Sequence, residues 1–206
     1  MSKENLLLIF TRNPELGKCK TRLAASVGDE KALAIYKFLL NHTEEITKNL
    51  TIKKQLYYSE EIWKDDIWSN DIYDKKLQKG INLGLRMENA FKAGFKQGYK
   101  KIIVIGSDMY DLTQKDLENA FTQLDTSDFV VGPAEDGGYY LLGMKAVEHA
   151  VFTDKAWGTP TVLKDTLKNL EDKNTTLLEK RNDVDVIEDI KDHPAFQSFL
   201  KNNTHE

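Results

Sequence analysis

Hydrophobic residues along this chain follow two alternating patterns. Short apolar runs, rich in Leu, Ile, Val and Tyr, predict β-strands at residues 5–11, 53–59, 73–78, 101–106, 128–131, 139–143 and 175–178. Apolar residues at helical spacing predict helices at about 29–49, 83–98, 113–124 and 159–170, with a last helix from about 187. The alternation predicts an α/β fold, with a mostly parallel sheet flanked by helices in three α/β/α layers and an antiparallel insertion at the sheet edge.

Length and charge narrow the class of protein. The 206 residues suit one domain, and no linker rich in Pro, Gly or Ser divides them, so we expect a single domain over residues 1–206. A net charge of −4 gives no general electrostatic reason to bind nucleic acid or an anionic membrane. The apolar run at 6–10 is too short to cross a bilayer, and one cysteine cannot form an intramolecular disulfide. We expect a cytoplasmic protein without membrane insertion that recognises anionic ligands locally.

A glycine pair marks the turn between the fifth and sixth predicted strands. Gly137 and Gly138 directly follow the acidic pair Glu135 and Asp136. Glycine allows the backbone to approach a ligand closely or to adopt a positive φ, so this pattern favours a binding turn. Asp136, with Glu135 as the second choice, is the candidate to orient or deprotonate an acceptor. The alternative is a tight connection whose carboxylates are solvated.

Asp108 follows the apolar run 101–106, which is typical of a buried parallel strand. In open α/β sheets the ligand crevice lies outside the carboxyl ends of the strands. Mg²⁺ takes one or two protein carboxylates and completes its shell with water and phosphate oxygens, so Asp108 is a candidate metal ligand. Asp111 could join it, although we favour Asp111 as the N-cap of the helix that starts near Thr113.

The loop after the first predicted strand is basic. It contains Thr11, Arg12, Gly17, Lys20 and Arg22. Backbone amides around a glycine can cradle a pyrophosphate, a lysine supplies a point charge, and an arginine supplies a bidentate fork for phosphate oxygens. The loop has neither the P-loop spacing nor the dinucleotide-binding spacing of glycines. The alternative is a solvated basic loop with no ligand.

An ordered set of blocks resembles a family of small bacterial nucleotide-diphospho-sugar transferase-like proteins with a GT-A fold. Its members are described as glycosyltransferases, some linked to arsenosugar biosynthesis. The resemblance covers about residues 6–190, and its blocks are Pro14-x-x-Gly17-x-x-Lys20-Thr21-Arg22-Leu23, Leu83-Gly84-x-Arg86-Met87, Gly106-Ser107-Asp108, Gly132-Pro133-Ala134-x-Asp136-Gly137-Gly138-Tyr139-Tyr140, Trp157-x-Thr159 and Asp183-Val184-Asp185.

The resemblance implies specific roles for individual residues. Gly17, Lys20 and Arg22 match the nucleotide-binding loop of the superfamily, and Asp108 matches the aspartate that holds a divalent metal on the diphosphate. Thr11, Arg12, Arg86 and Ser107 are further candidate nucleotide or phosphate contacts; the alternative for Arg86 is a surface salt bridge. Asp185 resembles a second metal contact, and its alternative is an N-cap. We leave open whether Asp111 or Asp183 also contacts metal.

The chain departs from the family pattern at two places. Met109-Tyr110 stands where the family commonly has Cys-Pro after this aspartate, so the turn here lacks the family's proline. Val186-Ile187 replaces Thr-Pro, so the predicted last helix lacks its early proline.

These residues together predict a metal-dependent glycosyltransferase. The donor would be a nucleotide-diphospho-sugar, the acceptor a small molecule, and the cofactor Mg²⁺ or Mn²⁺. Gly137 and Gly138 would lie against the donor, while Tyr139 and Trp157 would line the acceptor side unless they serve only in packing. One alternative is nucleotidyl transfer from a nucleoside triphosphate to a phosphorylated small molecule. Another is a catalytically inactive nucleotide-binding protein.

Overall fold

The computed structural model describes residues 4–201. Within them seven strands form one sheet: β1 (Asn5–Thr11), β2 (Lys53–Tyr58), β3 (Tyr73–Leu77), β4 (Lys101–Gly106), β5 (Phe129–Pro133), β6 (Tyr139–Met144) and β7 (Thr175–Leu177). The helices are α1 (Thr21–Val27), α2 (Asp29–Lys48), α3 (Leu83–Lys96), α4 (Gln114–Thr126), α5 (Val162–Asn169) and α6 (Gln197–Leu200). The predicted α/β class and mostly parallel sheet are confirmed.

The antiparallel strand lies inside the sheet and not at its edge, which corrects the sequence-based expectation. The strand order is β3-β2-β1-β4-β6-β5-β7, and β6 pairs antiparallel with both β4 and β5. The run Tyr139–Met144 is almost entirely buried, as a strand with a paired neighbour on each side requires. Strands β3 and β7 form the two edges.

Alternating side chains of the strands supply two cores, one on each face of the sheet. Leu7 and Ile9 of β1 join the core on the face of α2 and α4. Leu6 and Leu8 point to the opposite face, where α3 packs. All four are fully buried, so truncating any one to alanine would cost about 2–5 kcal/mol. Sheet and helices therefore form the three predicted layers.

The C-terminal part differs from the predicted last helix. Two short 3-10 helices, Ile187–Asp189 and Pro194–Phe196, precede the four-residue α6. Proline disfavours the α conformation in the residue before it, and His193 is accordingly extended, with φ −83° and ψ 123°. The Asp189 carboxylate also accepts the amides of Asp185 and Val186, which closes the first turn locally.

Two details near the loops were not predicted correctly. Helix α1 lies within the segment that the sequence indicates as a polar loop, because it buries only Leu23 and leaves little apolar periodicity. The N-cap of α4 is Thr113 and not Asp111: the Thr113 hydroxyl accepts the amide of Asp116, whose carboxylate accepts the amide of Thr113 in return. Among the described residues, no helix is both long and apolar enough to span a membrane.

Candidate functional site

Three segments meet at one end of the sheet, where the parallel strands β1 and β4 finish. Strands β1 and β4 are parallel neighbours in a register that pairs Phe10 with Gly106, so the loops that follow them start side by side. Because β6 runs in the opposite direction, the turn that leads into it, residues 134–138, lies at the same end of the sheet. The first loop, Asp108 and the glycine turn, which are far apart in sequence, are thereby adjacent in space.

Lys20 and Asp108 form the central ion pair at this end of the sheet. Lys20 Nζ donates to Asp108 Oδ2 at 2.7 Å, and the lysine side chain is 6% exposed while that of Asp108 is 38% exposed. Burial opposes the charge on Lys20, but Asp108, with Asp185 and Asp183 further away, keeps the lysine pKa above its ordinary value. Burial likewise opposes ionisation of Asp108, and Lys20 outweighs it and lowers the pKa of that carboxyl. Both groups are therefore charged at neutral pH.

Gly106 allows the Asp108 carboxylate to fold back over the end of β4. A Cβ on Gly106 would lie 2.8 Å from Asp108 Oδ1, closer than real Cβ contacts allow. A larger residue at this position would require the carboxylate to shift. This contact gives a physical reason for glycine before Ser107-Asp108.

Three carboxylates line one small cavity at this end of the sheet. A space of about 110 Å³ is bordered by Asp108, Asp136 and Asp183. Burial, followed by the negative charges of Asp136 and Asp108, raises the pKa of Asp183 to about 6. The cavity thus holds more negative charge than its one buried lysine balances, and a bound cation would relieve that repulsion.

The carboxylates predicted as metal ligands have other partners here. Within residues 4–201, no group of three or more His, Cys, Asp or Glu side chains is arranged to hold a metal ion. Asp108 is directed at Lys20, and Asp185 gives its Oδ2 to Arg22 Nη1 at 2.9 Å. Asp183, and not Asp185, borders the carboxylate cavity.

Three further predicted contacts after β1, Arg12, Gly17 and Arg22, lie toward solvent. Arg12 is exposed, and the Arg22 side chain is 64% exposed even though it pairs with Asp185. Gly17 adopts a left-handed φ of +73°, which glycine takes without strain. The loop therefore presents two guanidinium groups beside the buried Lys20 ammonium.

Two predicted phosphate contacts are instead part of a buried hydrogen-bond network. Ser107 Oγ donates to Thr11 Oγ1 at 3.0 Å, and both hydroxyls lie 3.3 Å from the hydroxyl of Tyr36. The Arg12 amide also donates to the Tyr36 hydroxyl, at 3.0 Å. This network fixes the first loop relative to Asp108, and the side chains of Thr11, Ser107 and Tyr36 are buried.

The glycine turn is held from both sides. Asp136 Oδ1 accepts the amide of Gly138 at 2.7 Å, which leaves Oδ2 of this exposed carboxylate available. Gly137 has φ +88°, and its carbonyl accepts the amide of Leu163 in α5 at 2.9 Å. A Cβ on Gly137 would collide with the Pro160 backbone, 2.6 Å from its Cα. The turn is thus fixed rather than open.

A second, largely apolar cavity adjoins the carboxylate cavity. Its volume is about 240 Å³, and the two share Gly106, Asp136, Gly138, Tyr139 and Tyr140. The predicted pocket residues Tyr139 and Trp157 both line it, with ring centroids 6.5 Å apart in an edge-to-face arrangement. Gly138 and Asp136 border both cavities, while Gly137 serves the turn.

Arg86 lies away from the carboxylates. Its guanidinium donates to Gly80 O at 3.1 Å and to Gln78 Oε1 at 3.3 Å, and it lines a separate cavity near β3. Gln78 in turn donates to the carbonyls of Thr11 and Tyr57. The contacts of Arg86 link the start of α3 to the ends of β1 and β2.

Sequence reasoning left the role of Asp183 open and did not place Phe10 or Tyr140 at the site. A parallel bridge between Ala134 and Arg181 brings residues 181–183 alongside the glycine turn. Phe10 and Tyr140 have the apolar pattern of ordinary strand residues, and only the meeting of strand ends brings them to the cavity. For Asp183 the available signal was its place in the Asp-Val-Asp block.

Comparison with known proteins gives a family and a fold. Residues 42–159 match DUF2064, described as an uncharacterized protein conserved in bacteria. A proposed nucleotide-diphospho-sugar transferase from Desulfovibrio desulfuricans G20 has a similar crystal structure, with a TM-score of 0.84 and 27% identity, over 97% of this chain and 94% of that one. The resemblance inferred from the sequence blocks is confirmed. A comparison with curated proteins gives no match.

More distant structures share the fold alone. The 4-diphosphocytidyl-2C-methyl-D-erythritol synthase of Anaerococcus prevotii DSM 20548 is 11% identical, with a TM-score of 0.59 over 95% of this chain and 97% of that one. Rv0371c from Mycobacterium tuberculosis H37Rv, in a complex with manganese, is 12% identical, with a TM-score of 0.56 over 97% and 99% of the two chains.

Proposed function

This chain belongs to the DUF2064 family of bacterial proteins, and we propose that it is a nucleotide-utilising transferase that moves a glycosyl group from a nucleotide-diphospho-sugar to a small-molecule acceptor. The observation that carries the proposal is the Lys20–Asp108 ion pair beside a cavity with two further carboxylates. A buried ammonium next to clustered carboxylates suits a ligand that brings phosphate oxygens and a divalent cation together.

Binding would exchange the partners of the first loop. In the free protein Lys20 pairs with Asp108, and Arg22 pairs with Asp185. The phosphate oxygens of the donor would replace both carboxylates as partners of the two basic side chains. The released Asp108 carboxylate then becomes available to a cation. Phosphate and cation binding should therefore reinforce each other, because each relieves the charge that the other uncovers.

We propose Asp108 and Asp183 as the residues that would hold Mg²⁺ or Mn²⁺. Carboxylate oxygens suit both hard cations, and two of them suffice when phosphate oxygens and water complete the shell. Asp183 borders the same small cavity as Asp108, whereas Asp185 is paired with Arg22, and this geometry supports Asp183 over Asp185. When bound, the cation would stabilise negative charge on the leaving diphosphate.

Asp136 is the proposed base. The acceptor hydroxyl oxygen attacks the anomeric carbon, and the bond from that carbon to the diphosphate oxygen breaks, leaving its electron pair on the diphosphate. The hydroxyl proton passes to Asp136, whose Oδ1 is held by the Gly138 amide. Lys20 and Arg22 neutralise the charge that develops on the leaving group.

The second cavity favours glycosyl transfer over nucleotidyl transfer to a phosphorylated molecule. An acceptor phosphate needs cationic partners, yet Asp136 is the one charged side chain among the described residues that line the apolar cavity. The basic side chains Lys75, Lys76, Lys79 and Arg86 line a cavity that shares no residue with it.

A thermal-shift panel tests the proposed function. Melting temperatures are measured with UDP-glucose, GDP-mannose, CTP and GTP, each with and without Mn²⁺. A diphospho-sugar at about 100 times its Kd should raise the melting temperature by about 5 °C or more when Mn²⁺ is present. A larger shift with a triphosphate would favour nucleotidyl transfer, and no shift with any ligand would overturn the proposal.

Variants locate the ligand. Asp108→Asn should remove the Mn²⁺-dependent part of the shift, and Lys20→Met should weaken diphospho-sugar binding by about 10- to 100-fold. Lys18→Met is the matched control, because Lys18 belongs to the same loop but is 67% exposed and pairs with Glu15. Equal losses in Lys18→Met and Lys20→Met would contradict the role given to Lys20.

A further inference from the structure

We infer that the apolar cavity beside the carboxylates binds the uncharged, apolar body of the acceptor, and that the acceptor is an aryl or similarly hydrophobic alcohol rather than a polyol. This inference rests on the proposed function, because only a transferase has an acceptor. The apolar chemistry of the cavity follows from its walls alone.

The walls of the cavity are apolar and aromatic. Phe10, Leu83, Met87, Val104, Trp157 and Val162 contribute hydrocarbon or ring surface. A polyol bound there would lose water from several hydroxyls that find few polar partners, at a cost for each unpaired hydroxyl. A flat hydrophobic body instead gains from leaving water.

One polar group within the cavity lacks a strong partner. Among the described residues, the Tyr139 hydroxyl donates to Met87 Sδ at 3.9 Å, and a thioether sulfur is a weak acceptor. Burial raises the pKa of this phenol, so the hydroxyl keeps its proton at neutral pH. It is therefore a hydrogen-bond donor that a single oxygen on the ligand would satisfy.

The aromatic wall is built by close backbone approach. A Cβ on Gly84, in the first turn of α3, would lie 2.7 Å from Trp157 Cζ2 and would also collide with the Phe152 carbonyl. The absence of a side chain at Gly84 lets the Trp157 indole pack directly on the helix backbone, and Tyr139 lies edge-to-face with the indole. The wall is fixed before any ligand binds.

The position of the cavity assigns it to the acceptor rather than to the donor. Its lining includes none of residues 12–22, which carry the basic side chains proposed to bind the diphosphate. Asp136 lies on the border between this cavity and the carboxylate cavity. A hydroxyl at the end of an apolar body placed here therefore meets the proposed base next to the diphosphate.

Calorimetric titration of the full chain with three probes tests the inference. We use p-cresol, toluene as its equivalent without the hydroxyl, and methyl α-glucoside as the polyol. We expect p-cresol to bind at millimolar concentration or below and about tenfold or more tighter than methyl α-glucoside. Tighter binding of the glucoside, or no binding of any probe, would overturn the inference.

Variants show where p-cresol binds. Leu83→Trp adds bulk at a half-exposed position of the lining and should weaken p-cresol binding about tenfold or more. Ile81→Trp is its control, because Ile81 is 92% exposed and outside the lining, and it should bind p-cresol like the wild type. Tyr139→Phe should weaken p-cresol about five- to tenfold and leave toluene unchanged. Equal effects of the two tryptophan substitutions would place the probe elsewhere and overturn the inference.

A competition experiment separates this inference from the proposed function. p-Cresol is titrated in the presence of Mn²⁺ with whichever of UDP-glucose and GDP-mannose gives the larger thermal shift. Simultaneous binding supports the acceptor assignment, and mutual exclusion would assign the cavity to the donor and overturn it. If neither nucleotide shifts the melting temperature, the proposed function fails, while the p-cresol titration still decides the chemistry of the cavity.

Discussion

Asp183 shows how neighbours set the chemistry of a single residue. An isolated aspartate ionises near pH 4, but burial and the carboxylates of Asp136 and Asp108 raise the pKa of Asp183 to about 6. Between these values the folded protein holds a proton that the unfolded chain has released. Stability from this group is therefore highest below about pH 4 and falls as pH rises to about 6.

This linkage makes a prediction for the metal-free protein. Asp183→Asn removes the charge that the fold disfavours, so it should raise the free energy of unfolding at pH 7.5 by about 1 kcal/mol, allowing for solvent screening. The difference between wild type and variant should shrink as pH falls from 6 to 4. Urea unfolding with EDTA present measures both. Asp172→Asn is the control at an exposed position, and a pH-independent difference for Asp183→Asn would contradict the argument.

At the scale of elements, the glycine turn and the start of α5 act as one unit. The turn contributes Asp136 and Gly138 to the site, and α5 holds the turn through the Leu163 amide. Pro160 packs against Gly137 so closely that the pairing depends on the missing side chain. The position of Asp136 is thus decided by an element more than twenty residues later in the chain.

Gly137→Ala tests this dependence. The substitution combines left-handed backbone strain with a collision against Pro160, and should lower the free energy of unfolding by about 3 kcal/mol. Gly98→Ala, just after the end of α3, has nearly the same φ, +92°, but nothing within 4 Å of the added Cβ, so it should cost about 1 kcal/mol. Urea denaturation compares the two. Equal losses would show that backbone strain alone accounts for the effect.

At the scale of the whole molecule, the sheet order places β6 between β4 and β5. Every strand that reaches the site from the centre of the sheet, β1, β4 or β6, is paired on both sides. The ion pair and the carboxylate cavity consequently lie at the end of the most enclosed part of the fold, while β3 and β7 lie at its edges.

Hydrogen exchange should reflect this order. Amides of β1, β4 and β6 should exchange slowest, close to the rate of global unfolding, and those of the three-residue edge strand β7 should exchange fastest among the strands. Mass spectrometry of peptic peptides after deuterium labelling gives the comparison. Exchange of 139–144 as fast as that of 175–177 would contradict the internal position of β6.

The sequence by itself determined which segments are strands and helices wherever the hydrophobic period was long and regular. It also indicated the basic loop, Asp108 and the glycine turn, because the backbone freedom of glycine and the charges of lysine and aspartate are properties of the residues themselves. It missed α1 and misjudged the C-terminal part, since α1 buries a single leucine and Pro194 breaks the helical pattern there.

Only the tertiary structure decided how distant residues combine. Strand pairing put β6 inside the sheet and brought 181–183 beside the turn, so Asp183 rather than Asp185 borders the carboxylate cavity. The same packing buried Thr11 and Ser107 on Tyr36 and turned Arg86 toward Gln78. These outcomes depend on which strands become neighbours and on close contact between segments far apart in the chain. Hydrophobic periodicity distinguishes the buried face of a segment from its exposed face, but it does not identify the segment that packs against it.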